Sequence, residues 1–272
     1  MPATKNLFSA VVGVVAVLGL AACTPSVEEP LTTSQIQEVL NAVEKPSALT
    51  KFSARSQADF EETYGDQGDM TPTFDNVSDE CAAVSDADRV TRFSQGGNSF
   101  KKFSPRALRG FNDIGGLHWQ IKTPEGSDEY SYANLDVAIL TFDTADDAFD
   151  YTAVVRDNAE SCFDFRVDLG EGESSLNTTL ELMSLKIDDD DSGNFRMETI
   201  YDIDLSLFGA EVNTSYDQIM AVYHLGPNVV MMHGSVDSEA RSLLGVSRDD
   251  VLAGIDELIP TLEGLFLDVL EQ

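Results

Sequence analysis

Two constellations in this chain have residue types and spacings that suggest chemistry. The first is Asp188-x-Asp190-x-Ser192-Gly193, which sets side-chain oxygens at alternate positions ahead of a glycine. Calcium loops are built this way. The twelfth position of an EF-hand pattern falls on Thr199 instead of a glutamate, however, and strand-like segments flank the loop on both sides. The stretch reads as a solvated hairpin tip, with a weak calcium site on Asp188, Asp190 and Ser192 as the alternative. The second constellation is His224 and His233, on either side of Gly226-Pro227-Asn228. A two-residue turn puts these imidazoles on one face of a hairpin, where they could act together; a three-residue turn sends them to opposite faces. No GxSxG, HExxH or P-loop pattern is present, and Gly170-Glu171-Gly172-Glu173-Ser174-Ser175 lacks the third glycine of a dinucleotide fingerprint. It reads as a turn. The expectation is a protein without catalytic residues, cofactor or zinc site.

A third reactive group stands near the start. Leu20-Ala21-Ala22-Cys23 follows an uncharged apolar stretch from Leu7 to Leu20 and a single early Lys5. The stretch is shorter than the roughly 18 to 20 residues that cross a bilayer, and it ends on small residues. The segment is similar to a bacterial lipobox. That similarity implies cleavage before Cys23, acylation of its thiol and a mature chain tethered outside the cytoplasmic membrane. An ordinary secretory leader with a coincidental cysteine is the alternative. Each buried acyl methylene contributes about 0.8 kcal/mol, so more than one chain makes a durable anchor.

The expected organisation is therefore a leader over residues 1–22, a lipidated N-terminus and stalk over 23–33, and one extracytoplasmic domain over 34–272. The stalk assignment rests on Thr24-Pro25-Ser26-Val27-Glu28-Glu29-Pro30, which is polar and holds two prolines. The whole chain carries 17 basic and 48 acidic residues, a formal charge of −31. Such a surface repels phosphates, so nucleic acid is excluded as a partner and membrane contact falls to the lipid. With Cys23 assigned to the anchor, Cys81 and Cys162 remain. In an oxidising compartment they form either one long-range disulfide or two buried free thiols.

The elements that must position these groups follow from periodicity. Thr32-x-x-Gln35 and Ser34-x-x-Gln37 each offer a capping box for a helix through Ile36, Val39, Leu40 and Val43. From there to about Phe111 the chain reads as mostly irregular. Leu117, Trp119 and Ile121 alternate with His118, Gln120 and Lys122, the pattern of a strand with one dry face. Leu135, Val137 and Ile139 repeat it. Thr144-x-x-Asp147 opens a helix ending about Cys162. Leu180 to Ile187 and Phe195 to Leu207 form a hairpin with one wet face, and Tyr216 to Leu225 with Val229 to Ser235 form another. Ser247-x-x-Asp250 caps a last helix, which Pro260 is expected to kink or break. The fold class is α+β: a single domain with an antiparallel sheet and helices packed on one side.

The order of these parts, from the Leu31-to-Leu40 helix through Ser78-Asp79-Glu80-Cys81, Val137-to-Phe142, Thr144-to-Phe149, Cys162 and Pro227-Asn228-Val229-Val230, resembles a known family. This is the PknH-like extracellular sensor domain of actinobacterial receptor-type Ser/Thr kinases, which also occurs on free lipoproteins. The resemblance spans roughly residues 31 to 270. It implies an antiparallel sheet with helices on one side and an open cleft, acting as a sensing or ligand-binding module without catalysis. Two departures stand out. Ala159 replaces the family's tryptophan, and no cysteine follows Cys162 to make its second disulfide. Two function classes result. One is a membrane-anchored module for an unidentified small-molecule or cell-envelope ligand. The other, motivated by Met183, Met220, Met231 and Met232 on apolar strands, is a carrier of hydrophobic molecules with a deep cavity.

Overall fold

The computed structural model describes residues 27–54, 110–122, 132–163, 167–168, 176–207, 210–238 and 240–271. Helix α1 (Thr33–Ala42) is followed by a 3-10 turn (Ser47–Leu49) and the short strand β1 (Ser53–Ala54). Strands β2 (Asp113–Lys122) and β3 (Tyr132–Thr141) lead into α2 (Ala145–Phe163). Then come β4 (Val167–Asp168), β5 (Leu176–Asp189), β6 (Phe195–Leu207), β7 (Ala210–Leu225) and β8 (Asn228–Asp237), a π turn (Ala240–Leu244) and the long α3 (Arg248–Leu270). The strands form one antiparallel sheet in the order β1-β2-β3-β8-β7-β6-β5-β4.

The chain thus folds as a single-domain α+β protein, and its local signals act where expected. Thr32 caps α1 reciprocally with Gln35, and Ser247 caps α3 reciprocally with Asp250. The Thr144 hydroxyl accepts from the Asp147 N–H at 3.1 Å. Each such cap satisfies donors that a helix start leaves open.

Helix placement differs from the one-sided expectation. Leu135, Val137 and Ile139 of β3 pack with Ile36, Val39, Ile255 and Phe266 from α1 and α3. Their neighbours Ala138 and Leu140 pack with Ala148, Tyr151 and Val155 of α2 on the opposite face. Because side chains alternate along a strand, these are the two sides of one sheet. The physical reason is the composition of β8, which lies between β3 and β7: Val229 and Met231 point to one face and Val230 and Met232 to the other, so both faces need cover, and the strand is buried at every position. The expected wet faces are covered only in part: Asp202 of β6 and Lys186 and Asp188 of β5 are exposed as expected, while other positions are not. His118 and Gln120 are each only 6 % exposed, and Glu198 of β6 is buried against the start of α3 by Arg248 at 2.9 Å.

Three further local findings refine the reading. Pro260 lies within α3, and the helical assignment is continuous across it. Its ring faces solvent, so the carbonyl left without an intrahelical partner can be hydrated. The folded body also begins earlier than the stalk assignment: Val27 and Leu31 are both core residues. Finally, α3 seats directly on β8 at Gly234, where an added Cβ would lie 2.3 Å from Val251 Cγ1. Gly234→Ala is expected to cost about 1–3 kcal/mol through overpacking, and Val251→Ala in the same chain should recover part of it, read as denaturant midpoints.

Candidate functional site

The densest polar chemistry among the described residues lies in the middle of the sheet. Register places His118 of β2 opposite Asp136 of β3, and Asp136 opposite His233 of β8. One step along the same face, Gln120 is opposite Asn134, and Asn134 opposite Ser235. Three neighbouring strands therefore each contribute two polar side chains to one block. Asp136 is 1 % exposed and His233 2 % exposed, so the block is interior.

The bonding is specific. Asp136 Oδ1 is in contact with His118 Nδ1, and Asp136 Oδ2 accepts from Asn134 Nδ2. His233 Nδ1 stands 3.6 Å from Asp136 Oδ2. Ser235 Oγ donates to Asn134 Oδ1, and His118 Nε2 lies 3.3 Å from Gln120 Oε1. With Gln120 in this orientation, both ring nitrogens of His118 meet oxygens, Asp136 Oδ1 on one side and Gln120 Oε1 on the other. Burial alone raises the Asp136 pKa, but the charges and hydrogen bonds of His118 and His233 outweigh it and hold the carboxyl below its usual range. A carboxylate that orients an imidazole can serve a general base only where substrate reaches the ring. Here the rings are buried, and the arrangement fixes the register of three strands.

The expected histidine pair is reorganised. Gly226 and Pro227 make a two-residue turn, since Leu225 pairs with Asn228. His224 and His233 share a face, as that turn requires, yet the Val222–Met231 pair separates them. His224 Nε2 instead meets Thr152 Oγ1 of α2 at 2.7 Å. Burial lowers its pKa, Asp190 opposes the shift and Arg156 reinforces it. The sequence reading missed the role of His118 and Asp136. The available signal was a polar pair at i and i+2 in three strands: His118/Gln120, Asn134/Asp136 and His233/Ser235.

The acidic loop sits exposed at the β5–β6 turn. Asp190 Oδ1 accepts from the N–H groups of Ser192 and Asn194 at 2.8 and 3.1 Å, and its Oδ2 accepts from Asn194 Nδ2 at 2.9 Å. Asp188 is paired with Lys186. The Asp190 carboxylate is engaged in closing the turn, and among the described residues no group of three or more potential ligands could hold a metal. Millimolar calcium is expected to leave the melting temperature unchanged; a saturable rise would establish the site on Asp188, Asp190 and Ser192.

At the surface, a groove of about 400 Å³ runs between the end of α1, the 3-10 turn and α3. Ala42, Glu44, Pro46, Leu258, Thr261 and Leu265 line it, so its walls are part apolar and part polar. Its shape is held by two braces. Glu257 accepts from Ser47 N at 2.6 Å, Ser47 Oγ at 2.8 Å and Ala48 N at 3.2 Å, and these Ser47 and Ala48 bonds lower its pKa. Lys45 Nζ donates to the carbonyls of Thr50 and Phe52 at 3.3 and 2.8 Å. The methionines behave differently: Met220, Met231 and Met232 fill the core, while Met183, the extra residue of a β5 bulge, is exposed.

Cys23 and Cys81 lie outside the described residues. Cys162 falls in the last turn of α2, and its side chain also lies outside them. No helix among the described residues is long and apolar enough to cross a membrane.

The fold and this site define a single-domain α+β protein built on an antiparallel sheet with a buried His–Asp–His row. The chain is similar to the crystal structure of the extracellular domain of PknH from Mycobacterium tuberculosis, at 15% identity and a TM-score of 0.35. The match covers 89% of this chain and 93% of that one. A similarity at this level carries no functional argument. No family model matches the chain, and no curated protein matches it.

Proposed function

We propose that this chain is a lipid-anchored extracytoplasmic module that binds or senses a ligand without transforming it. The observation that carries the reading is the Leu20-Ala21-Ala22-Cys23 leader signal, followed within a few residues by chain that is packed into the body from Val27 onward. A cysteine so close to the folded body suits a short acyl tether. The surface groove beside α3 is the candidate ligand site, since it mixes apolar walls with polar edges and is open to solvent. The buried His–Asp–His row serves as scaffold in this reading.

Two measurements test it. Cells fed an alkyne-tagged fatty acid should label the full-length protein, and Cys23→Ala should abolish labelling and move the protein out of the detergent phase. Recovery of the chain from cytosol with Met1 retained would overturn the anchor. For the ligand, native mass spectrometry of the body purified without its acyl group should show a co-purifying small-molecule mass. Thr261→Trp, which fills the groove from an exposed position, should remove that mass while the melting temperature is maintained.

A further inference from the structure

We infer that the tether leaves the body at the end of the sheet carrying the β7–β8 turn, and that this end faces the lipid surface. The inference rests on the acylation of Cys23 proposed above and adds the orientation. Residues 27–31 are fastened to that turn. Asn228, fully buried, accepts the Leu31 N–H on Oδ1 at 2.8 Å and donates from Nδ2 to the Glu29 carbonyl at 3.0 Å and the Leu225 carbonyl at 3.2 Å. Gly226, with φ of +62°, lies so close that an added Cβ would be 1.7 Å from the Val27 carbonyl oxygen. Four Cα-to-Cα steps separate Cys23 from Val27, which bounds the reach of the chain at about 14 Å. Strand β8 runs away from this point for nine further residues, about 30 Å, so the π turn at Ala240–Leu244 lies at the remote end.

The membrane-facing end is acidic. The β5–β6 turn joins it through the bond from the His224 N–H to Asn194 Oδ1 at 2.8 Å, and the start of α2 joins it through the Phe142 N–H to the Pro227 carbonyl at 2.9 Å. Glu28, Glu29, Asp143, Asp147, Asp190 and Asp191 are all exposed there. Carboxylates repel anionic headgroups over a Debye length of about 8 Å at physiological salt, so the short tether, and not surface charge, holds this end near the bilayer.

The test uses the full chain, with the acyl mass on Cys23 verified, reconstituted into phosphatidylcholine vesicles that carry a headgroup-linked acceptor dye. A donor dye is placed through a clickable amino acid at Asp191 or at Leu243, both exposed, and each labelled chain is checked by its melting temperature. Energy transfer should be several-fold stronger from position 191. A flexible glycine-serine insertion between Ser26 and Val27 should erase that contrast while flotation with vesicles persists. Equal transfer from both positions in the acylated chain overturns the orientation and leaves the anchor intact. Absence of both acyl mass and flotation overturns the anchor, and the orientation with it.

Discussion

Asp136→Ala is expected to lower folding stability by about 3–5 kcal/mol, measured as a loss in denaturant midpoint at neutral pH. The carboxylate is interior, and three side chains from three strands converge on it: His118, Asn134 and His233. Truncation leaves those polar groups in place without the charge that organises them, which costs more than the net worth of the contacts. The pH dependence carries a sign. A carboxyl held below its ordinary pKa in the folded state contributes stability that is fully present above the unfolded value, near pH 3.8, and is lost as pH falls through the folded value. The native chain should therefore lose stability in acid below about pH 4, while Asp136→Asn, which cannot ionise, shows a flatter profile in that window. Equal acid slopes in the two chains would show that the charge on Asp136 contributes nothing.

Gly226→Val is expected to release the start of the folded body. Two costs combine. A β-branched residue at φ of +62° is strained, by about 1–3 kcal/mol, and its Cβ would overlap the Val27 carbonyl oxygen, a backbone atom that cannot rotate away. The lower-energy response is for residues 27–31 to leave the turn, exposing Val27 and Leu31 and breaking the two bonds from Asn228 to that segment. Limited proteolysis should then cut within residues 27–31 in the variant and spare them in the native chain, with a lower melting temperature. Asn228→Ala should produce the same cleavage without backbone strain. Protection of the segment in both variants would show that its packing is independent of the turn.

Local signals made much of this fold legible. Thr32 with Gln35, Thr144 with Asp147 and Ser247 with Asp250 act within one helical turn, so the helix starts could be read directly. The late hairpin was legible at Gly226-Pro227-Asn228 for the same reason, while its two-residue turn is settled by the pairing of Leu225 with Asn228. The apposition of β3 and β8 has no such local mark, because the pairing joins distant segments and register depends on both. Until those strands are neighbours, His118, Gln120, Asn134 and Asp136 look like the solvent side of ordinary strands. Once they are neighbours, the same residues become an interior block. The second helical layer answers the unbroken apolar run of β8, whose Val229 and Met231 lie on one face and Val230 and Met232 on the other, so that both faces need cover.

Insertion of β8 between β3 and β7 also bears on how the protein is made. A chain emerging N-terminus first presents β2 and β3 long before the segment that closes beside them has appeared. During that interval one edge of β3 offers unpaired peptide groups flanked by Leu135, Val137 and Ile139, a template for any extended polypeptide nearby. Completion waits on the closing hairpin and the helix behind it. A nascent-chain escort that recognises extended apolar segments should therefore stay bound until α3 has cleared the exit, and chains truncated before Asn228 should be its most persistent clients.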